Sequence, residues 1–305
     1  MSNLRMRKNL EKSLSDFMGE VILRQLSLHH VRTAETYAST LRSFMRFRQG
    51  RDCLLTDLTP DLVQRYEAWL YDSGVVPNTA SFYLKRLRAA YNKAVAQGLV
   101  DQQYPFREVY TSKAKTVKRA ISKGLLRKIA TIDLSAKPFM AFARDLFLFS
   151  YYTRGMSFID MAYLRKSNLR DGILTYRRHK TGQILSIRWE PCMQQLVDRL
   201  GGGGDYLLPI IRSVETARHD YQRAQQRVNY GLHRLSEEYG MVPAITMYVA
   251  RHSWATRAQD LGTPLAVISS SLGHESISTT QIYLATIDTA TLDKANQKIL
   301  KDLGV

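Results

Sequence analysis

The sequence predicts a mainly α-helical chain of two domains, a helical one followed by an α+β one with a single small β-hairpin sheet. Three observations carry this. Apolar residues recur at helical spacing through most of the chain. That period lapses between Tyr104 and Lys118, where Lys113, Lys115 and Lys118 alternate with small residues. The alternation of a strand is convincing only over residues 173–188. The expected organisation is a helical domain over 1–106, a basic linker over 107–118 and a second domain over 119–305.

In the first domain Tyr37, Leu41, Phe44 and Phe47 form an apolar stripe that stops at Gly50, a residue suited to a helix C-terminus. Thr59-Pro60-Asp61 is a helix start, with a cap oxygen, proline at the first helical position and an acid in the first turn; Leu62, Tyr66 and Leu70 follow as its buried face. After Pro77-Asn78, Leu84, Leu87, Tyr91 and either Ala94 or Val95 line one side of a third helix. Lys85 and Arg88 lie on another side, one turn apart, as candidates to face phosphate.

The second domain opens with Ser122 as a cap for Leu125, Ile129 and Ile132, then an apolar helix through Phe139, Phe142, Leu146 and Phe149. Two strands flank Lys180-Thr181-Gly182-Gln183, Gly201–Gly204 reads as a loop, and helical patterns occupy about 214–239, 251–261 and 276–285. Leu292, Ile299 and Leu303 make a last stripe too thin to stand alone. It docks either on its own domain or on a neighbouring subunit.

Forty-four Lys and Arg against 27 Asp and Glu give a net charge of +17, which favours a polyanionic partner. The excess is evenly spread, with 19 basic and 11 acidic residues up to 118 and 25 and 16 beyond it. Two domains facing one nucleic acid have that signature; a basic tail on a neutral enzyme does not. Cys53 and Cys192 are far apart and lack metal-ligand spacing, so neither a disulfide framework nor a zinc site is expected. No apolar run reaches membrane-spanning length and no signal-like apolar stretch follows the basic residues at the start, so a cytoplasmic protein is expected.

Chemistry concentrates in two clusters, Tyr248-Val-Ala-Arg251-His252-Ser-Trp-Ala-Thr256 and Leu272-Gly273-His274, the latter followed nine residues later by Tyr283. Together with the helical domain, basic linker and hairpin, they resemble the tyrosine recombinases, or phage-integrase-type site-specific DNA recombinases, over the whole chain. The wording of Thr153–Ala162 and Tyr248–Thr256 is similar to a branch carried by mobile elements and invertible promoters of anaerobic gut bacteria. The resemblance implies Tyr283 as the nucleophile that forms a 3′-phosphotyrosyl link, with Arg251 and His274 around the phosphate. It also implies Lys180, on the hairpin turn, as the acid for the leaving 5′ oxygen. The physics agrees. A phenol with an ordinary pKa near 10 attacks well only beside cations, and an arginine fork suits two phosphate oxygens. No metal, ATP or other cofactor is required by such a route. The implied partner is double-stranded DNA with an inverted-repeat core site, each chain gripping the duplex with its N-terminal helices on one side and residues 119–305 on the other, as a homodimer on one site and a homotetramer at synapsis.

Two departures from the family pattern stand out. Tyr248 occupies a position where many members have histidine; it can donate a hydrogen bond but carries no positive charge. Aligning Gly155-Met156 with the usual Gly-Leu-Arg places Ser157 where an arginine is expected. Ser157-Phe-Ile-Asp160 also reads as a capping box. Arg154 is the nearest charge able to replace the missing arginine, unless it pairs with Asp160 as a structural bridge. The competing classes are a non-catalytic helical DNA-binding regulator, which would never become linked to DNA, and a type IB topoisomerase, which would not need a paired site. A metal-dependent transposase is weaker still, since no carboxylate pair is evident.

Overall fold

The computed structural model describes residues 12–112, 120–202, 204–284 and 300, except for the side chains of residues 279 and 282–284. Lys113, Lys115, Lys118 and the stripe of Leu292, Ile299 and Leu303 therefore lie outside the described residues. The chain divides into two units, residues 1–116 and 117–305.

The first unit is built from α1 (Leu14–Ser27), α2 (Val31–Phe47), α3 (Pro60–Asp72) and α4 (Pro77–Ala96). Helix α1 was not anticipated, although Leu14, Phe17, Met18 and Val21 give it a buried stripe and Ser13 caps it by accepting from the Asp16 amide at 3.1 Å. Helix α3 starts as its sequence dictates, with Thr59 Oγ1 accepting from the Leu62 amide and Pro60 in the first turn. Phe44, Phe47, Tyr66 and Trp69 cluster between α2 and α3, and Phe44 meets Tyr66 nearly edge-on at 5.1 Å. Phe44 is wholly buried, so its truncation to alanine costs about 3–5 kcal/mol. Leu84, Leu87, Tyr91 and Ala94 turn α4 inward, leaving Lys85 and Arg88 partly exposed on its flank.

In the second unit, α5 (Lys123–Thr131), α8 (Pro191–Leu200), α9 (Ala217–Glu238) and α10 (Met247–Asp260) pack around α6 (Pro138–Tyr152), with the single-turn α7 (Phe158–Ala162) against α9. Helix α6 is apolar on most faces because helices cover it on several sides; Ala143, Leu146, Phe147, Leu148 and Phe149 are all buried. The buried carboxylate of Asp145 joins Arg144 and Arg199, so this charge inside the core is paired. Helices α11 (Leu265–Leu272) and α12 (Ile277–Leu284) pack on each other and on α10.

The sheet is antiparallel, in the order β1 (Leu169–Arg170), β2 (Ile173–Arg177), β3 (Ile184–Arg188). Ile173 pairs with Arg188 and Tyr176 with Leu185, and Leu174, Tyr176 and Ile187 point into the core. The expected hairpin is therefore present, extended by a two-residue strand too short to show a period. Among the described residues, no helix is long and apolar enough to cross a membrane.

Candidate active site

The site is assembled from α10, the α11–α12 junction, the loop before α7 and the end of β2. Arg251 projects from the first half of α10 and is only 8% exposed. Its Nη1 donates to the Gly155 carbonyl at 2.9 Å and its Nη2 to the Leu272 carbonyl at 2.5 Å. Gly155 has a left-handed φ of +72°, and a Cβ there would lie 2.8 Å from Arg251 Cα. Glycine is thus required twice over, for its backbone angle and for the helix that passes over it.

Helix α11 ends at Gly273, whose φ of +63° is the usual left-handed helix stop, and this turn delivers His274 to Arg251. His274 Nε2 lies 3.1 Å from Arg251 Nη2 and its Nδ1 lies 2.7 Å from the buried hydroxyl of Thr280 on α12. A guanidinium only donates, so Nε2 accepts, the proton resides on Nδ1 and Thr280 receives it. Burial, followed by the charges of Arg251, Arg178 and Lys180, pushes the His274 pKa down to about 4, consistent with a neutral ring.

Arg178 follows β2 directly and is also 8% exposed. Its Nη1 donates to the Gly273 carbonyl, the link of the chain immediately before His274. The hairpin connection beyond it is closed by Arg178 N donating to Gln183 O and Gly182 N donating to Arg178 O, each at 2.8 Å. Lys180 is exposed within that connection, yet near enough for its charge to act on His274. His179, beside it, lies against the Tyr163 ring at 4.5 Å.

Ser157 does cap α7, accepting from the Asp160 amide at 3.4 Å. The reciprocal half of the expected capping box is different. The Asp160 carboxylate accepts from the Ser157 hydroxyl at 2.6 Å and from the His179 amide at 2.8 Å, so it ties the cap to the hairpin. Arg154 sits at a left-handed φ of +59° ahead of this helix, and its Nη1 lies 3.4 Å from the Ser186 carbonyl on β3. It makes no ion pair with Asp160. Tyr248 is 60% exposed on α10, edge-on to His252 at 4.5 Å. Tyr283 belongs to α12, which packs against both α10 and α11; its side chain lies outside the described residues. In the first unit, Arg88 Nη1 donates to Thr111 Oγ1 at 3.1 Å, which holds this cation against the segment leading out of the unit.

Sequence reasoning missed Arg178, Thr280 and the second role of Asp160. A signal existed for the first: Leu174 and Tyr176 face inward, and the two-residue period of the strand continues that face to Arg178.

Residues 13–113 match the phage integrase SAM-like domain family and residues 146–289 match the phage integrase family. The tyrosine recombinase XerD of Pseudomonas aeruginosa is 24% identical over 266 residues, which cover 82% of this chain and 85% of that protein. The tyrosine recombinase XerA of Thermococcus kodakarensis is 27% identical over 252 residues, covering 79% and 82%. Among solved structures, the Tn1549 transposon integrase in complex with transposon right end DNA matches with a TM-score of 0.70 at 14% identity, over 95% of this chain and all of that one. A lambda integrase dimer bound to a COC' core site matches with a TM-score of 0.66 at 17% identity, over 92% and 80%. With both families matched in order along one chain, and with relatives aligned over most of its length, this protein belongs to the tyrosine recombinase, or phage integrase, family and is a site-specific recombinase that cuts and rejoins DNA.

Proposed function

We propose that Tyr283 attacks the scissile phosphate to leave a 3′-phosphotyrosyl link and a free 5′ hydroxyl, and that the two are exchanged between paired sites. The observation that carries this is the convergence of Arg251, His274 and the hairpin at the Gly273 turn, which leads into α12, the helix on which Tyr283 is carried. Arg251 clamps the phosphate, Lys180 protonates the departing 5′ oxygen, and Tyr248 contributes a hydrogen bond. An incoming phosphodiester offsets the surrounding cations and raises the proton affinity of His274, which suits its imidazole to receive the phenol proton.

Both units bear an excess of positive charge, which supports binding of one duplex by both, with Lys85, Arg88, Lys113, Lys115 and Lys118 among the phosphate contacts. A dimer on an inverted-repeat core site and a tetramer at synapsis are the assemblies we infer. Lambda integrase, similar in fold, has been solved as a dimer on a core site and as a tetramer on a Holliday junction. The motif wording further supports a place among the recombinases of mobile elements and invertible promoters in anaerobic gut bacteria. The test is a suicide substrate carrying a nicked core site. The unaltered chain forms a covalent adduct, and Tyr283→Phe forms none while still binding the site; adduct in that variant would end the assignment.

A further inference from the structure

We propose that Thr280 is a positioning residue for strand cleavage: its buried hydroxyl holds the His274 ring by Nδ1 and so ties α12, the helix that carries Tyr283, to the Arg251 clamp. This rests on the Tyr283 reading above and adds the contact that sets the nucleophile's helix and the phosphate-binding groups as one unit.

A hydrogen-bond chain runs from Arg251 through His274 to Thr280. Arg251 Nη2 lies 3.1 Å from His274 Nε2, and His274 Nδ1 lies 2.7 Å from Thr280 Oγ1. The guanidinium only donates, so the ring proton is on Nδ1 and the hydroxyl accepts it. Both ring nitrogens are engaged. Turning the ring over about its bond to Cβ would break both contacts at once, so Thr280 fixes which nitrogen faces the clamp as well as which one carries the proton. Thr280 itself is 0% exposed. A hydroxyl so enclosed does not meet a duplex, and what it does for the reaction it does through His274.

Helix α12 needs such a tether. It is eight residues long and includes the weak helix formers Ser278, Thr279 and Thr280. A helix this short does not persist on its own propensity. Among the described side chains of α12, Ile277, Ser278 and Gln281 are exposed and Thr280 is the buried one. The neighbouring apolar cluster of Ala255, Ile268 and Leu272 joins α10 to α11 and includes no described residue of α12. The polar contact to His274 therefore sets where α12 lies on these helices. Tyr283 follows Thr280 by three residues, just under one helical turn. A shift of α12 that separated Thr280 from His274 would carry Tyr283 with it.

The experiment compares Thr280→Val, which keeps the shape and loses the hydroxyl, with Thr280→Ser, which keeps the hydroxyl and loses a methyl. Single-turnover cleavage of the nicked suicide substrate, core-site affinity and thermal melts are measured on both. Thr280→Val is expected to cleave about 10–10²-fold more slowly than the unaltered chain, the effect of one buried ring N–H left unpaired, with core-site affinity within a few-fold. Thr280→Ser should restore cleavage to within about threefold of normal. A packing role predicts the opposite order, because serine leaves a cavity and valine does not. Thr280→Ser slowed as much as Thr280→Val or more would therefore overturn the proposal, as would a Thr280→Val rate within about threefold of normal. Loss of core-site affinity in step with cleavage, or loss of a cooperative melt in either variant, would assign Thr280 to the framework and overturn it too. No adduct from the unaltered chain would remove the Tyr283 reading and this one together, whereas a normal rate of adduct formation by Thr280→Val removes this one alone.

Discussion

Replacing Gly155 by alanine tests whether the arginine clamp is set by backbone packing. The new Cβ would fall 2.8 Å from Arg251 Cα, 2.9 Å from its Cγ and 3.1 Å from its Cβ. Two of these belong to atoms at the root of the side chain, on a helix that cannot swing aside alone. Alanine also incurs about 1–2 kcal/mol at a left-handed φ. Relieving the clash separates Gly155 O from Arg251 Nη1, a charged hydrogen bond of about 1.5–3 kcal/mol. Together these give roughly 3–5 kcal/mol, or about 6–20 °C in Tm for a unit of this size. Catalysis should fall further than stability implies, since a 1 Å misplacement of a catalytic group costs about 10²-fold. The control is Gly74→Ala, at a φ of +75° with nothing within 4 Å of the added carbon, which isolates the backbone strain. Thermal melts and single-turnover cleavage of a suicide substrate give both readouts. If Gly155→Ala behaves like Gly74→Ala in the melt and cleaves normally, the clamp does not depend on this contact and the reasoning fails.

Three further outcomes are expected. Lys180→Ala should slow cleavage of an ordinary phosphodiester by at least about 10²-fold but barely affect a 5′-phosphorothiolate, whose leaving group needs no proton; equal slowing would deny Lys180 the acid role. In the free protein, His274 should stay neutral from about pH 7 down to about pH 5, with its proton on Nδ1. Its folded pKa lies below the unfolded value, so the stability linked to its neutral form is complete above pH 6.5 and lost as pH falls through about 4; ring NMR showing titration near 6.5 would contradict this. Core-site binding should weaken by about 10³-fold or more between roughly 50 and 200 mM salt if about six or more phosphates are neutralised, and a flat salt profile would refute broad phosphate contact.

How far these features were legible in the sequence depended on how local they are. Helix α3 was readable because Thr59, Pro60 and Asp61 specify its start within three residues. The hairpin was readable because one alternating face spans β2 and β3. Helix α1 has a stripe of comparable quality, Leu14, Phe17, Met18 and Val21 behind a Ser13 cap, although the expected elements begin only at Tyr37. Asp160 shows the other limit. Its spacing from Ser157 announces a cap, but the bond to the His179 amide spans 19 residues and exists only once the hairpin folds back. The pairing of His274 Nδ1 with Thr280 was likewise out of reach, because it depends on the bend between α11 and α12. Arg178 was the exception: its inward direction followed from strand parity alone, but a charge on an apolar face does not attract a core assignment.

The arginines of this unit sort by what holds them. Arg144 and Arg199 share the carboxylate of Asp145, and Arg212 meets Asp220, whose carboxyl the Arg212 amide and the Thr216 hydroxyl hold below its usual range. These pairs cancel their own fields and can stabilise only the framework. Arg251 and Arg178 donate instead to the carbonyls of Gly155, Leu272 and Gly273. Peptide dipoles hold the forks in place yet leave their net charge, and this charge depresses the His274 pKa. The free protein bears a repulsion between cations here, and on the proposed reading a bound phosphate relieves it. That difference favours the state in which charge is greatest, the pentavalent phosphorane, over the ground-state diester, which is the condition for binding energy to appear as rate. Placing an acid beside either arginine, by contrast, would lower the energy of the empty site and raise the barrier. A substitution such as Leu185→Glu illustrates the point, since Leu185 Cδ1 and Arg178 Cδ each lie 3.0 Å from the position a Gly273 Cβ would take. It should steady the fold near Arg178 and slow cleavage at once, and a variant that cleaved as fast as the unaltered chain would show that charge at this position does not reach the phosphate.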